Sequence, residues 1–342
     1  MSRWRWIIVA TGLSGLLATF VGLAGGRTPS GGEIVPSKTG NFPEIGAGDA
    51  LTVVTWNIHY GGGPTLARGR GQSEAEVYGY LDAIAQEIKG WDADIVALQE
   101  VDRRAIRSYD VDQLRWLQEA TGLMHAVWTP TWDANWVPHP GIKPSEHIGR
   151  VLSGQVVLSR FPLTDDRHIR LPQPEANGAI YNAFYLHRHL TGVTATLGPA
   201  HSLRIVNAHL EAFDDKNRLE HARQATTLME DVGPLSLLLG DMNCTPPEAK
   251  VRRAFEDEPE TDMSSDNTIG LLRGIPGIQE VVPADVYAAD ERAWFTFPAH
   301  KPNRRLDYIF HGEGLKLLSA EVPQMTSPPS DHLPVVARFE LD

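Results

Sequence analysis

Two short polar residues follow a strongly apolar segment of the chain. Leu237–Leu239 is followed by Gly240, Asp241, Met242 and Asn243. The apolar run predicts a strand buried on both faces, with Asp241 and Asn243 at its open end. Side chains two residues apart on extended backbone point to the same side, so a carboxylate and a carboxamide would converge there. Such a pair can hold a cation or orient a water molecule, although Asp and Asn at a strand end are more often turn formers.

The same arrangement recurs at two other predicted strands. Leu51–Trp56 alternates and is rich in β-forming residues, and Asn57 follows it. Asp94–Gln99 is mostly apolar, and Glu100 follows it. Asn57 is equally consistent with a metal or phosphate contact and with a residue that only turns the chain. Glu100 offers the hard oxygen ligand that Mg²⁺ prefers, so these strand ends predict a site at one rim of a sheet.

Two histidines and a further carboxylate extend this pattern. His209 lies near the end of the predicted strand His201–Leu210, where a histidine is more often a satisfied core residue than a ligand. Asp307 interrupts the apolar strand Arg304–Phe310, and a buried carboxylate needs a partner. His332 can be that partner, because a neighbouring carboxylate favours a charged imidazole that binds or protonates a phosphate oxygen.

Helices and loops must position these strand ends. Apolar periodicity predicts helices at Tyr78–Gly90, Val111–Gly122 and Asn217–Val232. The aromatic and Pro-rich segment Val127–Arg150 is interpreted as an ordered loop over the site, or as a surface insertion packed by its own tryptophans. Thr191–Pro199 is interpreted as a hairpin-like break before the next strand.

Composition limits the class of protein. The chain has 342 residues, which is enough for a sizeable core. Its formal net charge of −12 weighs against the basic stripe that a protein gripping duplex DNA usually carries. Cys244 is the only cysteine, so an intrachain disulfide is excluded. Because no histidine lies near it in the sequence, Cys244 is interpreted as a small, partly buried loop residue in preference to a nucleophile.

The N-terminus carries a targeting signal. Arg3 and Arg5 precede an uncharged run that reaches Gly26, which predicts a signal peptide or an N-terminal membrane anchor over residues 1–26. We therefore expect an exported protein that is periplasmic, secreted or anchored to the membrane. Residues 27–49 are rich in Gly, Pro, Ser and Thr and predict a flexible linker before one domain over residues 50–342.

Six motifs in chain order resemble those of the endonuclease/exonuclease/phosphatase superfamily, which includes DNase I-like nucleases, inositol polyphosphate phosphatases and neutral sphingomyelinases. They are Thr55-Trp56-Asn57, Leu98-Gln99-Glu100-Val101-Asp102, Asn207-Ala208-His209-Leu210, Gly240-Asp241-Met242-Asn243, Arg305-Leu306-Asp307-Tyr308 and Ser330-Asp331-His332-Leu333-Pro334. The resemblance implies an α/β fold of the DNase I-like type, a four-layer sandwich in which two packed mixed β-sheets are flanked by helices. It is specific for the superfamily and barely specific for the substrate.

The resemblance also implies a metal site and a catalytic group. Glu100 is expected to be the principal ligand of Mg²⁺ or Mn²⁺, with Asn57 and Asp331 close to the ion. The residues expected to act in catalysis are His209, Asp241, Asn243, Asp307 and His332. The physical chemistry agrees, because several carboxylates at one site would repel each other unless a divalent ion or a charged histidine lay among them.

In these implied roles, Asp241 aligns or deprotonates the attacking water and Asn243 orients it. His332, paired with Asp307, contacts the scissile phosphate. His209 contacts or protonates a phosphate oxygen or the leaving group.

Residues expected to contact the substrate are Asn57, His59, Gln155 and Arg103. Gln155 stands where many relatives have Asn. Arg103, with Arg104 and Arg107, would supply basic groups to a nucleic-acid groove.

Three functions are compatible with these residues. The favoured hypothesis is an exported phosphodiesterase or phosphatase acting on lipid head groups or small phosphoesters, with membrane association through the N-terminal segment. The alternative is an extracellular DNase I-like nuclease, for which nucleic acid would be the substrate. A non-catalytic binding module of the same fold is disfavoured because all the essential polar residues are present. We expect a monomer.

Overall fold

The computed structural model describes residues 15, 18–27, 32–35, 42–65, 71–139, 143, 146–230 and 232–342. The strands are β1 Gly26–Arg27, β2 Glu33–Val35, β3 Ala50–Asn57, β4 Ile95–Asp102, β5 His125–Val137, β6 Gly149–Ser159, β7 Leu163–Arg170, β8 His189–Gly198, β9 His201–His209, β10 Ser236–Asp241, β11 Ile278–Glu280, β12 Asp307–Gly312, β13 Leu315–Glu321 and β14 Val335–Leu341. The α-helices are α1 Glu74–Gly90, α2 Gln113–Thr121, α3 Gly178–Asn182, α4 Asp215–Met229, α5 Thr268–Arg273 and α6 Ala284–Ala289.

The strands form two mixed sheets. The first has the order β1-β5-β6-β4-β3-β14-β13, with β2 also paired to β5, and the second has the order β11-β12-β10-β9-β8-β7. Each sheet contains one parallel pair among the described strands, β3 with β4 and β9 with β10. Since α1 connects the first parallel pair and α4 connects the second, each pair is a βαβ unit whose two strands end at the same edge.

Three of the described helices form where the sequence predicts them, and α1 shows why. The Ser73 hydroxyl accepts a hydrogen bond from the Glu76 backbone N–H, and the Glu76 carboxylate accepts one from the Ser73 N–H. This capping box satisfies donors that the first helical turn leaves free. Leu81, Ile84 and Ile88 recur at helical spacing and pack against the first sheet. The predicted helices correspond to α1, α2 and α4.

Three apolar cores separate the layers. The central core lies between the sheets and includes Val53 and Ala97 from the first sheet with Ile205 and Leu239 from the second. A second core lies between the first sheet and helices α1 and α2, and a third lies between the second sheet and helices α4 and α5. This order of helices, sheet, sheet and helices confirms the predicted four-layer α/β sandwich.

Two predictions about local structure are wrong. Val127–Arg150 is not an ordered loop, because its described residues lie mainly in β5 and the start of β6, which pair antiparallel. Thr191–Pro199 is not a break, because β8 pairs with both β7 and β9. Pro and Gly weaken the local strand signal in these segments, whereas pairing with neighbouring strands decides the structure.

Most of the predicted targeting segment over residues 1–26 lies outside the described residues. Within the described ranges, no helix has both the length and the hydropathy needed to cross a bilayer. The linker prediction for residues 27–49 is wrong for Glu33–Val35, which pairs with β5 as an edge strand. The exposed backbone groups along the edge of β5 offer partners that the local composition does not reveal.

Candidate active site

The carboxyl ends of both parallel strand pairs open into one cavity of about 370 Å³. Asn57 is in register with Gln99 across the first pair, and Asp241 is in register with His209 across the second. Asp241 is also opposite Asp307 on the antiparallel neighbour β12. Predicted site residues that line the cavity are Asn57, Glu100, Gln155, His209, Asp241, Asn243, Asp331 and His332.

Glu100 reaches the cavity because β4 is irregular at this point. The pairing of β4 with β6 shifts register between Leu98 and Val101, and Glu100 has a left-handed φ of 56°. Gln99 points between the sheets and donates to Asn207 Oδ1 at 2.8 Å. On a regular strand the next residue would face the helix layer, whereas the bulge turns Glu100 into the cavity.

Asn57 orients two carboxylates. Its Nδ2 donates to Glu100 Oε1 at 3.2 Å and to Asp241 Oδ2 at 3.1 Å, and its Oδ1 accepts from the His59 backbone N–H at 3.0 Å. These contacts determine which end of the amide is nitrogen. Asn57 lies beside Glu100 in the cavity lining, and its role as a metal ligand stays a prediction. A contact between Asn57 and the substrate stays a prediction.

His332 and Asp307 form a buried pair in the cavity wall. The Nδ1 atom of His332 lies 2.8 Å from Asp307 Oδ2, and its Nε2 atom lies 3.7 Å from Asp241 Oδ2. Burial disfavours the charged ring, but the carboxylates of Asp307 and Asp241 outweigh this effect and raise the pKa of His332 to about 10. The Trp56 indole holds the backbone by donating to the His332 carbonyl at 2.8 Å. His332 is therefore an imidazolium at neutral pH.

Asp241 lies between His332 and His209. Its Oδ1 atom accepts from the Asn243 backbone N–H at 2.9 Å, and its Oδ2 atom lies 3.4 Å from His209 Nε2. Burial raises the pKa of Asp241 to about 7, with the positive charge of His332 opposing the rise. Burial also lowers the pKa of His209 well below its ordinary value, so this ring is neutral and the contact is not an ion pair. A carboxyl group with a pKa near neutrality is suited to exchange a proton with water.

Glu100 and Asp331 are the carboxylates best placed to bind a cation. Burial raises the pKa of Asp331, and the charge of Glu100 raises it further. A divalent cation between the two acids would remove this repulsion, and two carboxylates suit Mg²⁺ or Mn²⁺. Asp331 Oδ2 lies 3.6 Å from His59 Nδ1, and the buried Nε2 atom of His59 has no hydrogen-bond partner among the described residues.

His59 itself does not line the cavity. Its ring packs behind Asp331, and its Nδ1 atom also lies 2.9 Å from the Gly63 carbonyl oxygen. The predicted contact between His59 and the substrate is not tested by this placement and stays a prediction. The ring supports a carboxylate from behind.

A second group of potential ligands comprises Asp241, Asp307 and His332, whose ligand atoms lie within 4.8 Å of one another. The protonated ring of His332 has no lone pair to offer, and its Nδ1 atom is bound to Asp307. The expectation that the cation lies at Glu100 and Asp331 stays a prediction, and the group of Asp241, Asp307 and His332 lies in the same site.

Arg103 lies outside the cavity, and its predicted contact with the substrate stays a prediction. Its guanidinium group lies 3.1 Å from the carboxylate of Glu33 and 3.4 Å from that of Asp112, and it stacks over the Trp128 ring. The edge strand β2 supplies Glu33, so this ion pair depends on a contact that the sequence alone did not predict.

Arg188 lines the cavity and was missed by sequence reasoning. The residue is only 6% exposed. Within the described part of the chain, its Nε atom has no hydrogen-bond partner and its guanidinium forms no ion pair. Arg107 also lines the cavity, but Asp102 binds it through two hydrogen bonds of 3.0 and 2.9 Å. Arg188 thus presents a positive charge in the cavity without a direct ion pair among the described residues, and this charge helps to lower the pKa of Glu100. It lies in no motif, and only its place just before β8 could have drawn attention to it.

Gln155 forms part of the cavity wall, but its amide is used inside the protein. Its Nε2 atom donates to the His189 carbonyl at 3.1 Å, to Thr191 Oγ1 at 2.7 Å and to the Asn207 carbonyl at 3.0 Å. The donor group of Gln155 thus faces these three acceptors, and a contact between Gln155 and the substrate phosphate stays a prediction.

Cys244 is fully buried behind the site. Burial raises the pKa of its thiol to about 12. A thiol in this state is not a nucleophile at neutral pH, in agreement with its interpretation as a packed residue.

The two mixed sheets, with acids and histidines gathered at their common edge, define the DNase I-like class of α/β sandwich. The model of the Endonuclease/Exonuclease/phosphatase family matches residues 54–332. The chain belongs to this family, whose members are phosphoester hydrolases that depend on divalent metal ions.

Solved structures support the same fold. An endonuclease/exonuclease/phosphatase from Beutenbergia cavernae DSM 12333 is 23% identical with a TM-score of 0.60, covering 85% of this chain and 72% of that one. A family protein from Bacteroides thetaiotaomicron is 15% identical with a TM-score of 0.53, and the match covers 86% of this chain and 98% of that one. Truncated TDP2 from Caenorhabditis elegans is 16% identical with a TM-score of 0.52, and the match covers 86% of this chain and 98% of that one. A search of curated proteins found no match.

Proposed function

We propose that this protein is an exported, metal-dependent phosphodiesterase or phosphatase that acts on lipid head groups or small phosphoesters. The observation that carries the proposal is the buried pair of His332 and Asp307, with His332 Nε2 3.7 Å from the Asp241 carboxylate in a cavity that Glu100 and Asp331 also line. Hydrolysis of a phosphate ester requires charge stabilisation at the phosphoryl oxygens and a water molecule in line with the leaving group.

The residues of the cavity divide this work. Asp241 accepts a proton from the attacking water as the new P–O bond forms and the bond to the ester oxygen breaks. The Nε2–H group of His332 donates to one non-bridging oxygen, and the unpaired guanidinium of Arg188 binds another. A divalent cation held by Glu100 and Asp331 would offset further charge on the phosphoryl oxygens.

Asn243 and His209 flank Asp241. The Nδ2 atom of Asn243 donates to the Leu210 carbonyl at 3.0 Å, which leaves its Oδ1 atom to accept a hydrogen bond from the attacking water. The neutral ring of His209 can donate from Nε2 to the departing oxygen. Both residues thus act beside the general base.

Charge supports a small phosphoester over duplex DNA. The chain carries a formal net charge of −12. Arg107 and Arg188 are the Arg or Lys residues among the described lining residues, and Asp102 already binds Arg107. A duplex held by many phosphate contacts would need a basic surface. The uncharged N-terminal run behind Arg3 and Arg5 supports export and association with a membrane.

A panel of substrates tests the proposal. The full-length chain with Mg²⁺ should hydrolyse bis(p-nitrophenyl) phosphate and at least one phospholipid or sugar phosphate faster than plasmid DNA. His332→Ala should lower the rate by about a hundredfold or more, the usual contribution of a positioned acid–base group. His201→Ala, at the opposite end of β9 from the site, is the matched control. Efficient nicking of the plasmid with no activity on small esters would favour a nuclease.

A further inference from the structure

A second concave surface adjoins the catalytic cavity. We call it the apolar groove, and it has a volume of about 610 Å³. Its lining residues are Trp132, Val137, Pro138, His139, Asn177, Ile180, Tyr181, Phe184, Tyr185, Leu186 and Phe213. Trp132, Leu186 and Phe213 line both the groove and the catalytic cavity, so the two are continuous.

The groove exposes large apolar side chains to solvent. Phe213 is 81% exposed, Ile180 is 57% exposed and Tyr181 is 52% exposed. Single exposed apolar residues are common, but a contiguous concave patch beside a reactive centre marks a binding surface.

Hydrogen bonds hold the wall of the groove in place. The Trp132 indole donates to the Phe184 carbonyl at 2.9 Å, and the Gln173 side chain lies within hydrogen-bond distance of the Tyr185 and Leu186 carbonyls, at 3.0 and 3.3 Å. The Tyr185 hydroxyl donates to Glu211 at 2.7 Å. The groove is therefore a formed surface before any ligand binds.

The N-terminal segment runs along the rim of this groove. The ring centroids of Phe20 and Phe184 are 6.1 Å apart, and the Gly26 backbone N–H donates to the Ala183 carbonyl at 2.6 Å. The uncharged run that begins after Arg5 thus reaches the body of the protein beside the groove.

We propose that the apolar groove binds the hydrocarbon part of a phosphoester whose phosphate lies in the catalytic cavity. This inference rests on the proposed function and names the part of the substrate that gives specificity. Apart from His139 and Asn177 the lining is aliphatic and aromatic, and none of the described residues that line the groove is Lys or Arg. Nucleotides stacked on the aromatic rings would bring further phosphates, for which the groove offers no cationic partner.

Paired esters test the groove separately from the chemistry. The kcat/KM of the full-length chain is measured for methyl and octyl p-nitrophenyl phosphate below the micellar range of the octyl ester. We expect the octyl ester to be preferred by about tenfold or more, because each buried methylene adds binding energy. Ile180→Asp should bring the octyl-to-methyl ratio close to unity. Leu318→Asp, at a 46% exposed leucine on the distant strand β13, should retain the wild-type ratio.

Equal kcat/KM values for the two esters, or an unchanged ratio in Ile180→Asp, would overturn the groove proposal while the proposed function stands. Failure to hydrolyse either ester would count against the proposed function instead. In that case calorimetric titration with methylphosphonate and octylphosphonate decides the groove. Tighter binding of octylphosphonate that Ile180→Asp abolishes supports it, and equal affinity rejects it.

Discussion

Replacement of Arg188 by Met should lower the catalytic activity without lowering the stability of the fold. The guanidinium is buried in the cavity wall and forms no direct ion pair within the described part of the chain, so only the longer-range attraction of acids such as Glu100 offsets its desolvation cost. A hydrogen bond from a charged group to a phosphate oxygen is worth about 1.5–3 kcal/mol, so losing it should lower kcat/KM by about 10- to 150-fold. Removal of an unpaired buried charge should leave the melting temperature unchanged or raise it.

The assay is hydrolysis of bis(p-nitrophenyl) phosphate with Mg²⁺, accompanied by thermal unfolding of the same samples. Arg103→Met is the matched control, because Arg103 is bound to Glu33 and Asp112 outside the cavity. Its kcat/KM should stay within about twofold of wild type, and the loss of two partly exposed ion pairs should cost about 1 kcal/mol or less each. An Arg188→Met variant with wild-type kcat/KM, or one that unfolds at a clearly lower temperature, would refute this reasoning.

Three further predictions concern the catalytic pair, the pH and the backbone. Asp307→Asn should lower kcat by about a hundredfold or more, because His332 loses the carboxylate that keeps its ring charged and oriented. Stopped assays across pH measure this loss, and an unchanged kcat would contradict the prediction. Burial lowers the pKa of His221 to about 4 in the folded protein, below the value of about 6.5 in the unfolded chain. The folded state therefore loses up to about 3 kcal/mol of stability as the pH falls from about 6.5 toward 4. Melting temperatures at neutral and mildly acidic pH should show this loss, and His221→Gln should reduce it. Gly240→Ala should destabilise the fold by about 3 kcal/mol or more in denaturant titrations, because a Cβ atom there would lie 1.8 Å from the Ala208 carbonyl oxygen; wild-type stability would refute the close approach.

The resemblance of six motifs to a known family predicted the class of fold, and the residues at the strand ends predicted much of the cavity. Glu100 and Asp241 follow apolar segments of parallel strands, and the ends of parallel strands meet at one edge. Pairing of Asp307 with His332 followed from the cost of burying a carboxylate alone. These arguments need only strand periodicity and the chemistry of the side chain at each strand end.

The sequence was not sufficient where tertiary contacts decide a role. Asn57 and Gln155 were both assigned from residue type, but their partners determine which end of each amide faces the cavity. Arg103 and Arg188 are alike as residues, and only the fold pairs one with surface carboxylates and leaves the other unpaired at the site. The strand β5 was mistaken for a loop because its pairing with β6 is not encoded locally.

The most direct test of a metal-dependent phosphoester hydrolase in this cavity is the rate of bis(p-nitrophenyl) phosphate hydrolysis before and after chelation. Treatment with EDTA should abolish turnover by the full-length chain, and excess Mg²⁺ or Mn²⁺ should restore it. Glu100→Gln should require a higher concentration of the ion, because one of the two proposed carboxylate ligands has lost its charge. Equal rates in metal-replete and chelated wild-type protein would contradict the account.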